Sequence, residues 1–217
     1  MTTANKTMRA LCVNDGQVHL NTQVACPEPT GDEVRIAPTI VSVSWTDICI
    51  ARGELSFDGI LGRECVGVVE AVGPDGDKSL IEQRVVCEVA TRCGECELCR
   101  AGIAGHCQRR TVLGSRGRDG CLADRFVLPS TNCRVVPAGL DDDRAVFAVS
   151  VAEALQVARQ ITVKGRPYIT VVGDGPTGLL VAQALEPLNA SVRVVGQNPE
   201  RMGLCERWGI KHRPIAE

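Results

Sequence analysis

Val171-Val172-Gly173-Asp174-Gly175-Pro176-Thr177-Gly178 decides the fold of the C-terminal part of this chain. Its glycines follow the pattern G-x-G-x-x-G, which alone is weak evidence, so the surroundings matter. Before it, Tyr168 to Val172 is a short apolar run that reads as a buried strand. After it, Leu179 to Leu188 has helical spacing and Ser191 to Val195 reads as a second strand. A glycine-rich turn between strand and helix, inside a βαβ unit, is the setting in which this pattern binds a dinucleotide. Gly173 permits the tight turn, Gly175 lets a pyrophosphate approach the backbone, and Gly178 lets the helix pack on the strand. Pro176 and Thr177 open the helix, whose first N–H groups are free to meet phosphate oxygens.

Further on, the second strand runs into Val194-Val195-Gly196-Gln197-Asn198. A site selective for NAD(H) has Asp or Glu here, about 20 residues after the glycines, to bond the ribose 2′-hydroxyl. Gly196 stands in that place. With no carboxylate at that position, and with Gln197, Asn198 and Arg201 able to contact a 2′-phosphate, NADP(H) is favoured over NAD(H). The alternative is a non-selective site in which Arg201 only solvates its helix. Asn198 caps a further helix that begins at Pro199 and ends at Gly209. Upstream, Asp141-Asp142-Asp143 opens a helix through Val146, Val149, Ala152, Leu155 and Ala158, closed by Lys164-Gly165-Arg166-Pro167. Residues 141–217 thus read as a linking helix and the first βαβ unit of a parallel α/β domain. Two strands are fewer than a doubly wound sheet needs, so this domain is expected to be incomplete at Glu217, and its open sheet edge makes a homodimer an option.

Residues 1–140 read differently. Val34, Ile36, Ile40 to Val43, Val66 to Val72, Gln83 to Val89, Leu122 to Leu128 and Arg134 to Val136 are strand candidates. Pro27-Glu28-Pro29, Thr30-Gly31-Asp32, Gly73-Pro74-Asp75-Gly76 and Arg118-Asp119-Gly120 are turns between them. The spacing predicts a compact β sandwich or barrel. Met1 to Thr7 reads as a loose extension ahead of Met8, with no apolar core of a secretory signal.

The composition excludes several function classes. The chain has 217 residues, 44% hydrophobic and 23% charged, which argues against disorder. No apolar run reaches the roughly 18 residues of a spanning helix, so no membrane association is expected. With 24 basic and 26 acidic residues, a net charge of −2 and 3% aromatics, the chain lacks a nucleic-acid footprint. The expected partner is a small-molecule substrate.

Cys93, Cys96, Cys99 and Cys107 form the metal signal. Four thiolates, two pairs of them spaced by two residues, can wrap one tetrahedral zinc and leave no open position, as in a structural site. An iron–sulfur cluster is the lesser alternative. Gly94, Gly102 and Gly105 are expected to supply the bends, with His106 a bystander. The other eight of the 12 cysteines scatter through apolar stretches as small buried hydrophobes, which suits a reducing cytoplasm.

In this order and at this distance, the two motifs resemble the zinc-type medium-chain dehydrogenase/reductase family, the alcohol dehydrogenase superfamily. Met8-Arg9-Ala10-Leu11 resembles its opening strand, and Trp45-Thr46-Asp47 the segment after the first catalytic zinc ligand. Gly62-Arg63-Glu64-Cys65-Val66-Gly67 resembles its glycine–histidine–glutamate motif, and Cys93 to Cys107 its structural zinc lobe. The resemblance implies a GroES-like β-barrel catalytic domain over 1–140, with a zinc lobe near 90–110, and a partial Rossmann-type domain over 141–217. It also implies NAD(P)-dependent oxidoreductase activity on a small carbonyl, alcohol or activated alkene.

Departures from the family pattern change the expected chemistry. Ser44 stands where the family has its first cysteine ligand, and Arg63 replaces the histidine. The third ligand aligns loosely near Val149. Serine is a poor zinc ligand, and arginine stays protonated beside any cation. The resemblance, so altered, implies catalysis without zinc. A site rebuilt from Asp47, Cys49, Glu64 and Cys65 is the remaining metal option. Arg63 is expected either to stabilise a substrate oxyanion, with Thr46 passing a proton and Glu64 and Asp47 orienting the guanidinium, or to form a structural salt bridge with one of those acids. The rival to an enzyme is a non-catalytic descendant that binds a nucleotide or a protein.

Overall fold

A computed structural model describes residues 7–215. It divides into two compact units, Met1–Ala148 and Val149–Glu217. The extension expected ahead of Met8 lies outside the described residues, except that Thr7 already belongs to the first strand.

The first unit is built from short strands. In chain order they are β1 (Thr7–Asn14), β2 (Gln17–Ala25) and β3 (Glu33–Ser42), then helix α1 (Trp45–Ala51), β4 (Gly59–Ile60) and β5 (Glu64–Val72). There follow β6 (Arg84–Cys87), β7 (Ala90–Thr91), helix α2 (Glu97–Arg100), β8 (Thr111–Leu113), β9 (Gly117–Arg118), β10 (Phe126–Pro129), β11 (Cys133–Val135) and helix α3 (Asp142–Ala145). A five-stranded antiparallel sheet has the order β10-β3-β5-β6-β11, and a second sheet has the order β2-β1-β4. β7, β8 and β9 form a third, small sheet.

The hairpin β1–β2 turns at Asp15-Gly16, both with positive φ (50° and 73°). That dipeptide suits the right-handed twist of the paired strands, and it is a hairpin signal that the turn reading above passed over. β3 bulges between Pro38 and Ile40, where proline removes a ladder donor. β5 begins with four consecutive buried residues, Glu64 to Gly67, because it is central to its sheet. The main core packs Val34, Ile36, Val69, Val85, Leu113, Phe126 and Leu128 together with Cys65, Cys87, Cys121 and Cys133. Cys12, Cys49 and Cys205 are buried as well, so seven of the scattered cysteines are packing residues.

The helix read continuously from Asp141 to Ala158 is two helices. α3 stops at Ala145, and α4 (Ala148–Gln160) begins after a break. Asp142 does not cap: it accepts from Arg84 and from Thr39 Oγ1 (2.9 Å), which ties α3 to the sheet. Ala145 and Val146 then pack with Val66 and Val136.

In the second unit α4 is followed by β12 (Tyr168–Val172), α5 (Pro176–Leu185), β13 (Ser191–Gly196), α6 (Pro199–Arg207) and β14 (Lys211–Pro214). β12, β13 and β14 form one parallel sheet in that order. The unit is therefore βαβαβ, one more strand than the sequence reading found. β14 is Lys-His-Arg-Pro, with no apolar residue to announce it. It sits at a sheet edge, where lysine and proline are tolerated. Leu179, Ala182, Leu185, Val192, Val194, Met202 and Cys205 form its core.

Three glycines meet at one point of the first unit. Gly62 has φ +99°, and a Cβ there would lie 2.4 Å from the Leu122 backbone nitrogen. A Cβ on Gly114 or on Gly120 would lie 2.3 Å from the Gly62 carbonyl oxygen. The obstructing atoms are backbone, so no side chain can give way. Gly62→Ala is expected to destabilise the first unit by about 3 kcal/mol, from strained φ and overpacking, read as a lower urea midpoint. Gly105→Ala, in open space, should leave the midpoint unchanged.

Candidate functional site

Ser44 and Asp47 form a capping box on α1. The Asp47 N–H donates to Ser44 Oγ (3.3 Å), and the Ser44 N–H donates to Asp47 Oδ2 (2.8 Å). Ser44 Oγ–H also donates to Asp47 Oδ2 (2.6 Å). The other oxygen of Asp47, Oδ1, accepts from the Gly62 N–H (2.9 Å). Asp47 is only 2% exposed, and these bonds are what make a buried carboxylate tolerable.

The bond from Gly62 fixes where Arg63 leaves the chain. Arg63 Nη1 donates to Thr46 Oγ1 at 2.7 Å, so the two side chains meet across the turn. A guanidinium bonded to a hydroxyl oxygen polarises its O–H, which makes that hydroxyl a better donor to a third atom. Glu64 is buried at the start of β5. The expectation that Asp47 orients Arg63 is corrected: its two oxygens serve Ser44 and Gly62, and its effect on Arg63 passes through the backbone.

This arrangement does not fit a catalytic zinc. The Ser44 hydroxyl is committed to the helix cap, and Arg63 brings a permanent positive charge. Cys49 and Cys65 are buried, the latter within the main core.

The cysteine lobe does fit a metal. Cys93 follows β7, Cys96 is the N-cap of α2, Cys99 lies within α2, and Cys107 is fully buried beyond a short turn. Their four sulfurs lie within 4.8 Å of one another. The contacts Cys93–Cys107, Cys96–Cys107 and Cys93–Cys99 measure 3.5, 3.8 and 4.0 Å. A tetrahedron with metal–sulfur bonds of ~2.3 Å has edges of about 3.8 Å. Gly94 and Gly102 make the bends, each with φ +77°. Gly105 does not: its φ is ordinary and its surroundings are open. His106 is exposed and outside the cluster. Backbone N–H groups of Glu95 and Cys96 aimed at Cys93 hold its thiol at about 6, below the ordinary thiol range. Burial and the neighbouring sulfurs push Cys99 up to about 12, a cost that a cation at the centre removes.

In the second unit the glycines of the turn have separate reasons. Gly173 has φ +120°, and its N–H donates to Val195 O (2.8 Å), pinning the turn to β13. A Cβ on Gly178 would lie 2.2 Å from Gly173 O, so the helix packs only with glycine there. Gly175 caps α5 with ordinary φ and nothing within 4 Å of a built Cβ. The fold itself does not need glycine at 175, whereas a ligand lying against the backbone does. Pro176 and Thr177 form the first turn of α5 and are exposed.

At the end of β13 the expected contacts are rearranged. Asn198 Oδ1 accepts from the Arg201 N–H (3.1 Å), so that side chain caps α6, as the sequence predicts. The backbone N–H groups of Gln197 and Asn198 both donate to Asp174 Oδ2, at 3.0 and 2.6 Å. Asp174, the first variable residue of the glycine pattern, was not among the sequence-derived candidates. Its signal was the pairing of an acid in the turn with glycine at the strand end.

The Alcohol dehydrogenase GroES-like domain matches residues 30–138, half of the chain. The chain belongs to the zinc-type medium-chain dehydrogenase/reductase family. It is 30% identical over 167 residues to the starvation-sensing protein RspB of Escherichia coli K12, covering 74% of this chain and 48% of that protein. It is 30% identical over 191 residues to an L-threonine 3-dehydrogenase of Coxiella burnetii, covering 85% of this chain and 55% of that enzyme. The chain thus spans about half the length of these relatives. Among solved structures it is similar to alcohol dehydrogenase TADH from Thermus sp. ATN1, with TM-score 0.83 and 26% identity, covering 96% of this chain and 64% of that one. A dehydrogenase from Escherichia coli CFT073, described as complexed with NADH, superposes with TM-score 0.87 at 24% identity over 98% of this chain and 64% of its own, a likeness of fold. The β-rich unit thus carries the GroES-like domain, and the βαβαβ unit is a partial α/β region of the Rossmann type. No helix among the described residues is long and apolar enough to cross a membrane.

The bonds of Asp47 are its structural signature. Asp47→Ala removes the acceptor of the Gly62 N–H and half of the capping box. It should cost about 3 kcal/mol in urea unfolding. Ser44→Ala, which leaves the Gly62 bond intact, should cost about 1 kcal/mol.

Proposed function

We propose that this chain is an NAD(P)-dependent oxidoreductase acting on a small carbonyl, alcohol or activated alkene without a catalytic zinc. The observation that carries the reading is the turn 173–178, which joins β12 to α5 with Gly175 at the helix N-terminus and open space over its backbone. The relatives named dehydrogenases support the same class. When bound, the nicotinamide donates or accepts the hydride. The chain's own residues bind, orient and polarise.

Gly175 and the N-terminus of α5 hold the pyrophosphate. Gly173 and Gly178 keep that turn in shape. In the first unit Arg63 takes the electrophilic role that zinc has in the family. Its guanidinium supplies fixed positive charge and N–H donors for a developing alkoxide. Thr46, polarised by Arg63 Nη1, passes a proton to or from that oxygen. Asp47 and the clamped Gly62 hold both groups in place without touching the substrate. Cys93, Cys96, Cys99 and Cys107 hold a structural zinc that shapes their lobe and takes no part in the chemistry.

Ser44 and Arg63 favour a second reading, a family descendant that binds a dinucleotide without turnover. The two are separated by a carbonyl screen with NADH and NADPH, followed by nicotinamide fluorescence. Turnover is expected. Arg63→Ala should then lower kcat/KM about 10²-fold with nucleotide affinity unchanged, and Arg63→Lys should recover part of it. Nucleotide binding without turnover of any substrate favours the second reading. Full activity of Arg63→Ala removes Arg63 from the chemistry.

The purified chain should carry one zinc per molecule, measured by a chromogenic chelator after denaturation. Cys99→Ser should reduce that content and open residues 93–107 to proteolysis.

A further inference from the structure

The end of β13 lacks an acid in the sequence but not in space. A Cβ built on Gly196 would lie 2.5 Å from Asp174 Cβ, 2.6 Å from its Cγ and 2.7 Å from its Oδ2. The volume where a side chain at 196 would begin is already filled by the carboxylate of Asp174. That carboxylate is anchored by the N–H groups of Gln197 and Asn198 through one oxygen, Oδ2. Among the described residues, no other residue donates a hydrogen bond to Oδ1. Gly196 is glycine because Asp174 lies on it.

We infer that Asp174 is the nucleotide-selecting residue of this chain, reaching from the glycine-rich turn to the ribose position and favouring NAD(H) over NADP(H). The inference rests on the dinucleotide reading above. In βαβ sites the acid at the second strand's end bonds the ribose 2′-hydroxyl. Here the same charge arrives at the same place from the other strand. Oδ1 can accept that hydroxyl. A 2′-phosphate would bring further negative charge beside the carboxylate. It would also find the Gln197 and Asn198 N–H groups already taken. Bonds from the Asn198 and Gln197 N–H groups, with the nearby charge of Arg201, hold the Asp174 carboxyl below the usual carboxylate range, so it is ionised at neutral pH. The acid absent from the strand end at Gly196 comes instead from the turn, at Asp174.

The experiment is a fluorescence titration of the full chain with NADH and with NADPH. The wild type is expected to bind NADH at least about 10-fold more tightly than NADPH. Asp174→Asn keeps the size and one acceptor oxygen while removing the charge. It should raise NADPH affinity about 10-fold and bring the two nucleotides close to parity. Should that variant fail to fold, as judged by its circular dichroism, the double variant Asp174→Ala/Gly196→Asp moves the carboxylate back to the strand end and should bind with the wild-type preference. A wild type that binds both nucleotides equally or prefers NADPH overturns the assignment of Asp174 alone. So does an Asp174→Asn variant with an unchanged ratio, or a double variant that loses the preference. A wild type that binds neither nucleotide overturns the dinucleotide reading and this inference with it.

Discussion

The buried carboxylate of Asp47, bonded to the N–H of Gly62, is the constraint on which the first unit's site depends. One oxygen closes the N-terminus of α1 through Ser44, and the other holds the turn that leads into β5. Gly62 is further confined by Gly114 and Gly120, whose backbones approach its carbonyl so closely that no Cβ fits. Arg63 and Thr46 meet because their backbones are held, not because their side chains are long. A short hydrogen bond between two flexible side chains loses rotamer freedom, and a rigid base beneath it lowers that cost.

Seen this way, the two departures from the family's zinc ligands are physically linked. A hydroxyl at position 44 completes a capping box, a role that suits serine. A guanidinium at position 63 places a permanent positive charge beside Thr46, on a turn held by Asp47. The metal-binding capacity of the unit is concentrated instead in the cysteine lobe, where four sulfurs already stand at metal-bridging separations.

The second unit uses the same device. Asp174, like Asp47, crosses to another segment and accepts backbone N–H groups there. Each carboxylate closes a gap between a turn and the start of a helix. Each lies against a nearby glycine: Asp47 accepts the Gly62 N–H, and Asp174 occupies the space over Gly196.

Much of this was legible along the chain. The turn 173–178, β12, α5, β13, the Asn198 cap and the four-cysteine lobe are local features, set by residue type at short spacing, and the structure has them where the pattern predicts. β14 was not legible, because an edge strand of Lys-His-Arg-Pro is defined by its partner β13 and carries no periodicity of its own. The break between α3 and α4 was hidden for a similar reason. The Asp142 bonds to Arg84 and Thr39 reach back to strands far earlier in the chain. The sequence by itself determined the two domain types, the four-cysteine lobe and the glycine turn, since those follow from local propensity and residue spacing. Only the tertiary structure decided that Asp47 holds Gly62, that Thr46 meets Arg63, and that Asp174 fills the place Gly196 left empty. Those contacts join residues distant in sequence, and a chain read one position at a time does not say which distant groups will share a bond.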